Sequence, residues 1–184
     1  GDSDGDSDSD TDDLIIPDCD SCEGVGDEIE NMLCAIDLCD PEVVLEQEYS
    51  SPKVKPVKLA RSRAAIAHFG DSTNDLEPLL NGSYAVMSTG FHDSKVHNDI
   101  LNPGTLLDVY APGVPDPFAP SGEYPAYDVV EWRIRLKAPE GAHGFQIHYV
   151  FFSEEYDEYI GSEFNDKFYI FIEADSTNGG QRTV

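Results

Sequence analysis

The chain has 184 residues, with 37 Asp+Glu against 11 Lys+Arg, a formal net charge of −26 at pH 7 and a sequence pI near 4.1. A surface this acidic repels phosphate, which excludes a nucleic-acid binder. The sequence as given contains no run of about 20 apolar residues and no basic stretch leading into an apolar one, so neither membrane insertion nor a signal peptide is expected of it.

Residues 1–50 hold 18 carboxylates and no Lys or Arg, which leaves 19 carboxylates and all 11 basic residues to 51–184. This contrast divides the chain into an acidic Asp/Ser linker over 1–18, a cysteine-bracketed helical segment over 19–50 and a β-domain over 51–184. Aromatic and aliphatic residues concentrate after position 80, so a body of about 130 residues is expected to bury one sizeable core. Residues 1–13 alternate Asp with Gly, Ser and Thr and offer nothing to a core. Such composition is disordered when unliganded. Its Asp spacing resembles the calcium loops of thrombospondin type 3 repeats, but Gly5 follows the second Asp where that frame needs it after the third. The linker reading is preferred, with calcium held loosely as a counterion.

All four cysteines fall at Cys19, Cys22, Cys34 and Cys39, around a stretch in which Ile29, Met32, Leu33 and Ile36 recur at helical spacing. A short amphipathic helix is predicted. Zinc ligation by four thiolates would add negative charge among many carboxylates, so two disulfides in an oxidising compartment are the preferred reading. Four cysteines allow three connectivities; the nested one, Cys19 with Cys39 and Cys22 with Cys34, would pin the preceding chain over the helix. A redox C-x-x-C is disfavoured because Asp18, Asp20 and Glu23 would raise a thiol pKa.

Lys53, Lys55, Lys58, Arg61 and Arg63 read as a solvated strand or loop face. Asn81-Gly82 signals a turn before a short strand over 83–89. Residues 128–137 alternate, with Val130, Trp132, Ile134 and Leu136 on one face and Glu131, Arg133, Arg135 and Lys137 on the other, as in a half-buried antiparallel strand. Prolines at 112, 115, 117, 120 and 125 exclude a central strand from 111–127, which reads as an ordered surface loop. Beyond the turn at 139–144, Phe145–Phe152 and Phe168–Ile172 predict two more strands. The fold class expected is therefore all-β, an antiparallel β-sandwich or jelly-roll-like domain preceded by a short disulfide-bonded helix.

Between those last two strands six carboxylates fall within residues 154–166. Like charges crowded between strands repel unless a cation offsets them. With no His or Cys among them, hard-oxygen ligation of calcium is the expected chemistry, and Glu154, Glu155, Asp157, Asn165 and Asp166 are the candidate ligands. The competing reading is a solvated acidic loop with Tyr156, Tyr159 and Phe164 packed beneath it.

The same stretch resembles the bacterial choice-of-anchor L domain, whose hallmark is close to F-x-SEEY-x-x-Y-x-x-x-x-FND-x-F. Phe151, Ser153-Glu154-Glu155-Tyr156, Tyr159, Phe164-Asn165-Asp166 and Phe168 match it. Met87-Ser88-Thr89-Gly90 and Tyr127-Asp128 match further family features, so the resemblance spans roughly residues 57–184. It implies an exported, surface-attached β-domain of largely undefined biochemical activity, and the Asp-rich, Cys-bearing leader is similar to those of secreted myxobacterial proteins. The resemblance also implies further strands beyond Val184, so the β-domain is expected to be incomplete at its C-terminus. A partner subunit supplying the missing strands would make the chain a filament subunit.

Enzyme signatures are lacking: there is no G-x-S-x-G, H-E-x-x-H or P-loop, and His68, His92, His97, His143 and His148 have no ligand-like spacing. No catalytic residue is assigned. Two functions from different classes follow. The first is a secreted, calcium-stabilised structural or adhesive module at the bacterial cell surface, partnered by other protein subunits or surface components and able to self-assemble into a fibre by strand exchange. The second is an extracellular carbohydrate-binding or carbohydrate-active domain using the acidic loop, with Glu154 and Asp166 as its pair.

Overall fold

The computed structural model describes residues 19, 26, 28–51, 59–67, 78, 82–89, 114–115, 125–127, 129–153, 160 and 166–183. The cysteine-bracketed segment forms one short helix, α1 (Ile29–Ala35), with Met32, Leu33 and Ala35 buried. It ends in a Schellman motif: Asp37 takes the left-handed conformation at φ 61°, the Leu38 N–H donates to the Leu33 carbonyl at 2.9 Å and the Asp37 N–H to the Cys34 carbonyl at 3.1 Å. Asp tolerates that conformation better than most side chains, which is why the helix stops here without glycine.

A disulfide joins Cys19 to Cys39 with their Cα atoms 5.6 Å apart, closing the chain on either side of α1. Cys34 is disulfide-bonded as well, and Cys22 lies outside the described residues. A disulfide sulfur is not a thiolate, so a four-cysteine zinc site is ruled out. This arrangement contains one of the two pairs of the nested connectivity.

Beyond α1 the described elements are nearly all strands, paired two by two and always antiparallel: β1 (Val44–Ser50) with β6 (Glu131–Leu136), β2 (Arg63–Ile66) with β3 (Tyr84–Met87), and β4 (Val114–Pro115) with β5 (Pro125–Ala126). The alternation of residues 128–137 is borne out in β6, and the turn-strand reading of 82–89 in β3. Gly82 stands at φ 65°, as the second residue of an Asn-Gly turn requires. Among the described residues the proline-rich segment supplies the two-residue ladder of β4 and β5, in keeping with its exclusion from a central strand.

β1 lies in a stretch where the sequence reading gave no strand. Its register with β6 slips between Val44, opposite Leu136, and Glu46, opposite Arg135, leaving Leu45 as the extra residue of a bulge. The slip has a physical use. Without it Val44 would share the charged face with Glu46 and Glu48; with it Val44 joins the apolar face of Trp132, Ile134 and Leu136. On the opposite face Glu48 meets Arg133 at 3.7 Å and Glu46 meets Arg135 at 4.0 Å. Both pairs are solvent-exposed and contribute at most about 1 kcal/mol each.

The core sits where α1, the β2–β3 pair and the β1–β6 pair converge. Met32, Tyr49 and Leu59 form its centre, with Ile29, Ala85, Met87, Val130 and Trp132 packed around them. Ala64 and Ala65, on opposite faces of β2, are both buried. Gly26 ties the leader to the outer edge of β2 through two backbone bonds with Ala65, at 2.9 and 2.7 Å. A side chain there would collide with Asn31, since an added Cβ would lie 2.6 Å from its amide nitrogen. One polar network runs through this core. The Tyr49 hydroxyl lies 3.0 Å from the Ser62 carbonyl and 3.1 Å from its Oγ, and Ser62 Oγ donates to the Leu59 carbonyl at 2.7 Å. Burial pushes the Tyr49 phenol up to about 12, against the opposing pull of the Ser62 hydrogen bond and the Arg63 charge.

Two expectations are corrected. The core was expected in a body of about 130 residues; among the described residues its fully buried apolar side chains fall between Cys19 and Ile66, so the cysteine-bracketed segment contributes to it, with Ala85, Met87, Val130 and Trp132 packed against its centre. Nor do Phe145–Phe152 and Phe168–Ile172 form strands: apart from a single bridge between Ile172 and Thr183, none of them belongs to a ladder. Apolar runs of this kind mark segments suited to burial on both faces. A strand also needs a neighbour to complete its hydrogen bonds, and periodicity does not supply one.

Candidate functional site

The acidic segment is carried by two irregular arms, 142–153 and 166–171. The first arm starts at a type II turn. The Ala142 N–H donates to the Pro139 carbonyl at 3.1 Å, and Gly141 takes the positive φ, 83°, that the third position of such a turn demands. Further along, Tyr149 and Phe151 both meet Phe168, with ring centroids 5.1 and 6.3 Å away. Two residues beyond Phe151, Ser153 Oγ donates to Asp166 Oδ2 at 2.8 Å. The contacts at 149, 151 and 153 repeat every second residue, so the arms run side by side as far as Ser153 and Asp166.

Of the five candidate calcium ligands, Asp166 is placed at this end of the arms, exposed and hydrogen-bonded to Ser153. Glu154, Glu155, Asp157 and Asn165 lie outside the described residues. An ionised carboxylate offers about four lone-pair sites, so the Ser153 bond leaves Asp166 able to ligate. Among the described residues no group of three or more His, Cys, Asp or Glu side chains is placed to hold a metal. His143 and His148 are exposed, and His68, His92 and His97 lie outside the described residues.

A second polar node anchors the far end of the arms, and sequence reasoning missed it. The Arg182 guanidinium donates to Glu131 at 2.8 Å and lies 4.2 Å over the Phe171 ring, while Arg133 donates to the same carboxylate at 3.2 Å. Two backbone bonds of 2.8 Å between Ile172 and Thr183 fold the terminal stretch back so that Arg182 reaches β6. Partial burial pushes the Glu131 carboxyl up, but the hydrogen bonds and charges of Arg182 and Arg133 outweigh it and hold the group below its ordinary value. The only sequence signal was that Arg182 is the lone basic residue after Lys167.

Among the described residues no helix is long and apolar enough to cross a membrane. No protein-family model, curated protein or solved structure matches this chain.

Proposed function

We propose that the chain is a secreted, calcium-stabilised β-sandwich module of a bacterial cell surface, of the choice-of-anchor L kind, acting as a structural or adhesive unit that assembles with other subunits by strand exchange. The observation that carries this reading is the Ser153–Asp166 hydrogen bond, which gathers the ends of a segment holding six carboxylates between two apolar arms. Calcium bound by Glu154, Glu155, Asp157, Asn165 and Asp166 would offset their repulsion with oxygen ligands alone. The exposed apolar arms support an interaction role, because soluble monomers rarely present contiguous apolar surface without a partner. The disulfide between Cys19 and Cys39 supports an oxidising, extracellular setting.

The test is thermal unfolding of the 184-residue chain in calcium and in chelator. A ligand that binds only the native state, present at about 100 times its Kd, adds about 2.7 kcal/mol. The melting temperature is therefore expected to rise with calcium, and the rise to shrink in Asp166→Asn. An unchanged melting temperature would overturn the calcium reading. The exposed Tyr149 ring favours one alternative, carbohydrate binding. In that case Asp166→Asn would abolish binding in a glycan screen and leave the melting temperature where it was.

A further inference from the structure

We infer that the disulfides flanking α1 form a redox lock on the outer edge of β2. While they are oxidised, the leader stays paired with Ala65 through Gly26; when they are reduced, the leader leaves and the edge opens. The inference concerns the N-terminal segment alone and depends on neither the calcium site nor the assembly proposed above.

Three observations lead to it. The leader covers the edge: β2 pairs with β3 on one side, and on the other Gly26 and Ala65 exchange both backbone bonds, at 2.9 and 2.7 Å, in an antiparallel bridge. Gly26 also lies inside the loop that the cysteines close. Cys19 and Cys39 are joined across a sequence separation of 20, and Gly26 and the whole of α1 fall between them. Cys34, within α1, is disulfide-bonded too. With Cys19 and Cys39 taken, Cys22 is the one cysteine of the four left to partner it, and that inner loop again encloses Gly26. Finally, the helix inside the loop is firmly held, with Met32, Leu33 and Ala35 buried. The bridges therefore tether a residue held by two backbone bonds to a helix held by the core. Cross-linking a loop of about 20 residues favours its ordered state by on the order of 100-fold, through the entropy taken from the open chain.

The unlocking step is a thiol–disulfide exchange with a dithiol. Its thiolate attacks the sulfur of Cys39, which is half-buried, because Cys19 is only 5% exposed. The Cys19 thiolate leaves, and the second thiolate of the reductant then displaces Cys39. Two electrons pass to the bridge, the two protons that the dithiol gives up end on Cys19 and Cys39, and the reductant departs as its own disulfide. The inner bridge opens by the same steps at Cys34, which is half-buried as well. A bare strand edge is a template for pairing with other chains. The lock keeps β2 closed wherever disulfides persist and opens it in a reducing compartment.

The test is residue-resolved hydrogen exchange on the full chain, oxidised and after treatment with a neutral dithiol. The Gly26 and Ala65 amides are expected to be protected in the oxidised chain and to exchange about 100-fold faster in the reduced one. The amides that bond across the β1–β6 ladder should keep their protection. Gly26→Ala checks the cover without reduction: at φ 135° a side chain is strained, and its Cβ would lie 2.6 Å from the Asn31 amide nitrogen. The Ala65 amide should therefore lose protection in the oxidised variant, and an Ala65 still protected there would overturn the leader as the cover. Unchanged protection of Gly26 and Ala65 on reduction would overturn the lock. So would a loss of protection at β1 and β6 together with Ala65, because the bridges would then hold the whole fold. Peptide mapping without reductant should recover Cys34 linked to Cys22, and a free Cys34 thiol would overturn the inner bridge.

Discussion

Residues 19–66 supply all the buried apolar side chains among the described residues, including Met32 at full burial. They do so from a part of the chain crowded with carboxylates, the first 50 residues holding 18 of the 37. Residues 145–152 are far more apolar, yet Phe145, Tyr149 and Val150 stand exposed. The difference lies in available neighbours. The N-terminal stretch gains a disulfide, a capped helix, and two strand pairs to pack against. From the arm at 145–152, Tyr149 and Phe151 meet the Phe168 ring. Burial follows the partners a segment can reach, and hydropathy states only how much it would gain from them.

That contrast can be broken most sharply by paired substitutions read in denaturant unfolding. Met32→Ala removes a fully buried side chain from the centre of the core and is expected to cost about 2–5 kcal/mol. Val150→Lys, at a position mostly open to solvent, should change the stability of the monomer by no more than about 0.5 kcal/mol. Equal costs at the two positions would mean that the arm is as much a part of the folding unit as the helix.

The polar network sharpens the comparison at an intermediate scale. In Tyr49→Phe the Ser62 carbonyl keeps its bond from the Ser88 N–H and Ser62 Oγ keeps its bond to Leu59, so no buried group is orphaned and the loss should be about 1 kcal/mol. Its pH dependence identifies it. The Tyr49 phenol is raised from 10.0 to about 12, so its neutral form favours the folded state. That contribution is complete below pH 10 and is lost as pH rises toward about 12. Wild type should therefore lose stability in this window, and Tyr49→Phe should lose correspondingly less.

The smallest effect is expected at Glu131. Its carboxyl is held below its ordinary value of 4.5, so the stabilisation it provides is present above that pH and lost as pH falls through the lowered value. Glu131→Gln should remove this acid-side loss and release the 172–183 stretch, read as faster amide exchange at Ile172 and Thr183. Because the carboxylate is partly exposed, the change in global stability should be slight.

Much of the N-terminal architecture was legible because its signals are local. Helical spacing at Ile29, Met32, Leu33 and Ile36 marks α1, paired cysteines mark a disulfide, and strict alternation marks β6. β1 was hidden because Glu46, Gln47 and Glu48 read as a polar run, and its apolar face is assembled only by a bulge and by Arg133 and Arg135 across the ladder. The Glu131–Arg182 contact spans 51 residues, a separation that no local pattern encodes. At the candidate site the motif stretch drew attention to the segment after Phe151, and the Ser153–Asp166 contact joins the arms there. The arms themselves were misread as strands because hydropathy reports a demand for burial without saying whether a partner strand lies within reach.

The most direct test of this contrast is residue-resolved hydrogen exchange on the 184-residue chain at a dilution where it is monomeric. The account predicts slow exchange at the amides of β1 and β6 that bond across their ladder, and exchange near the unprotected rate from His143 to Phe151. Protection of 143–151 equal to that of β1 would contradict it, because the arm would then carry a ladder of its own within the single chain.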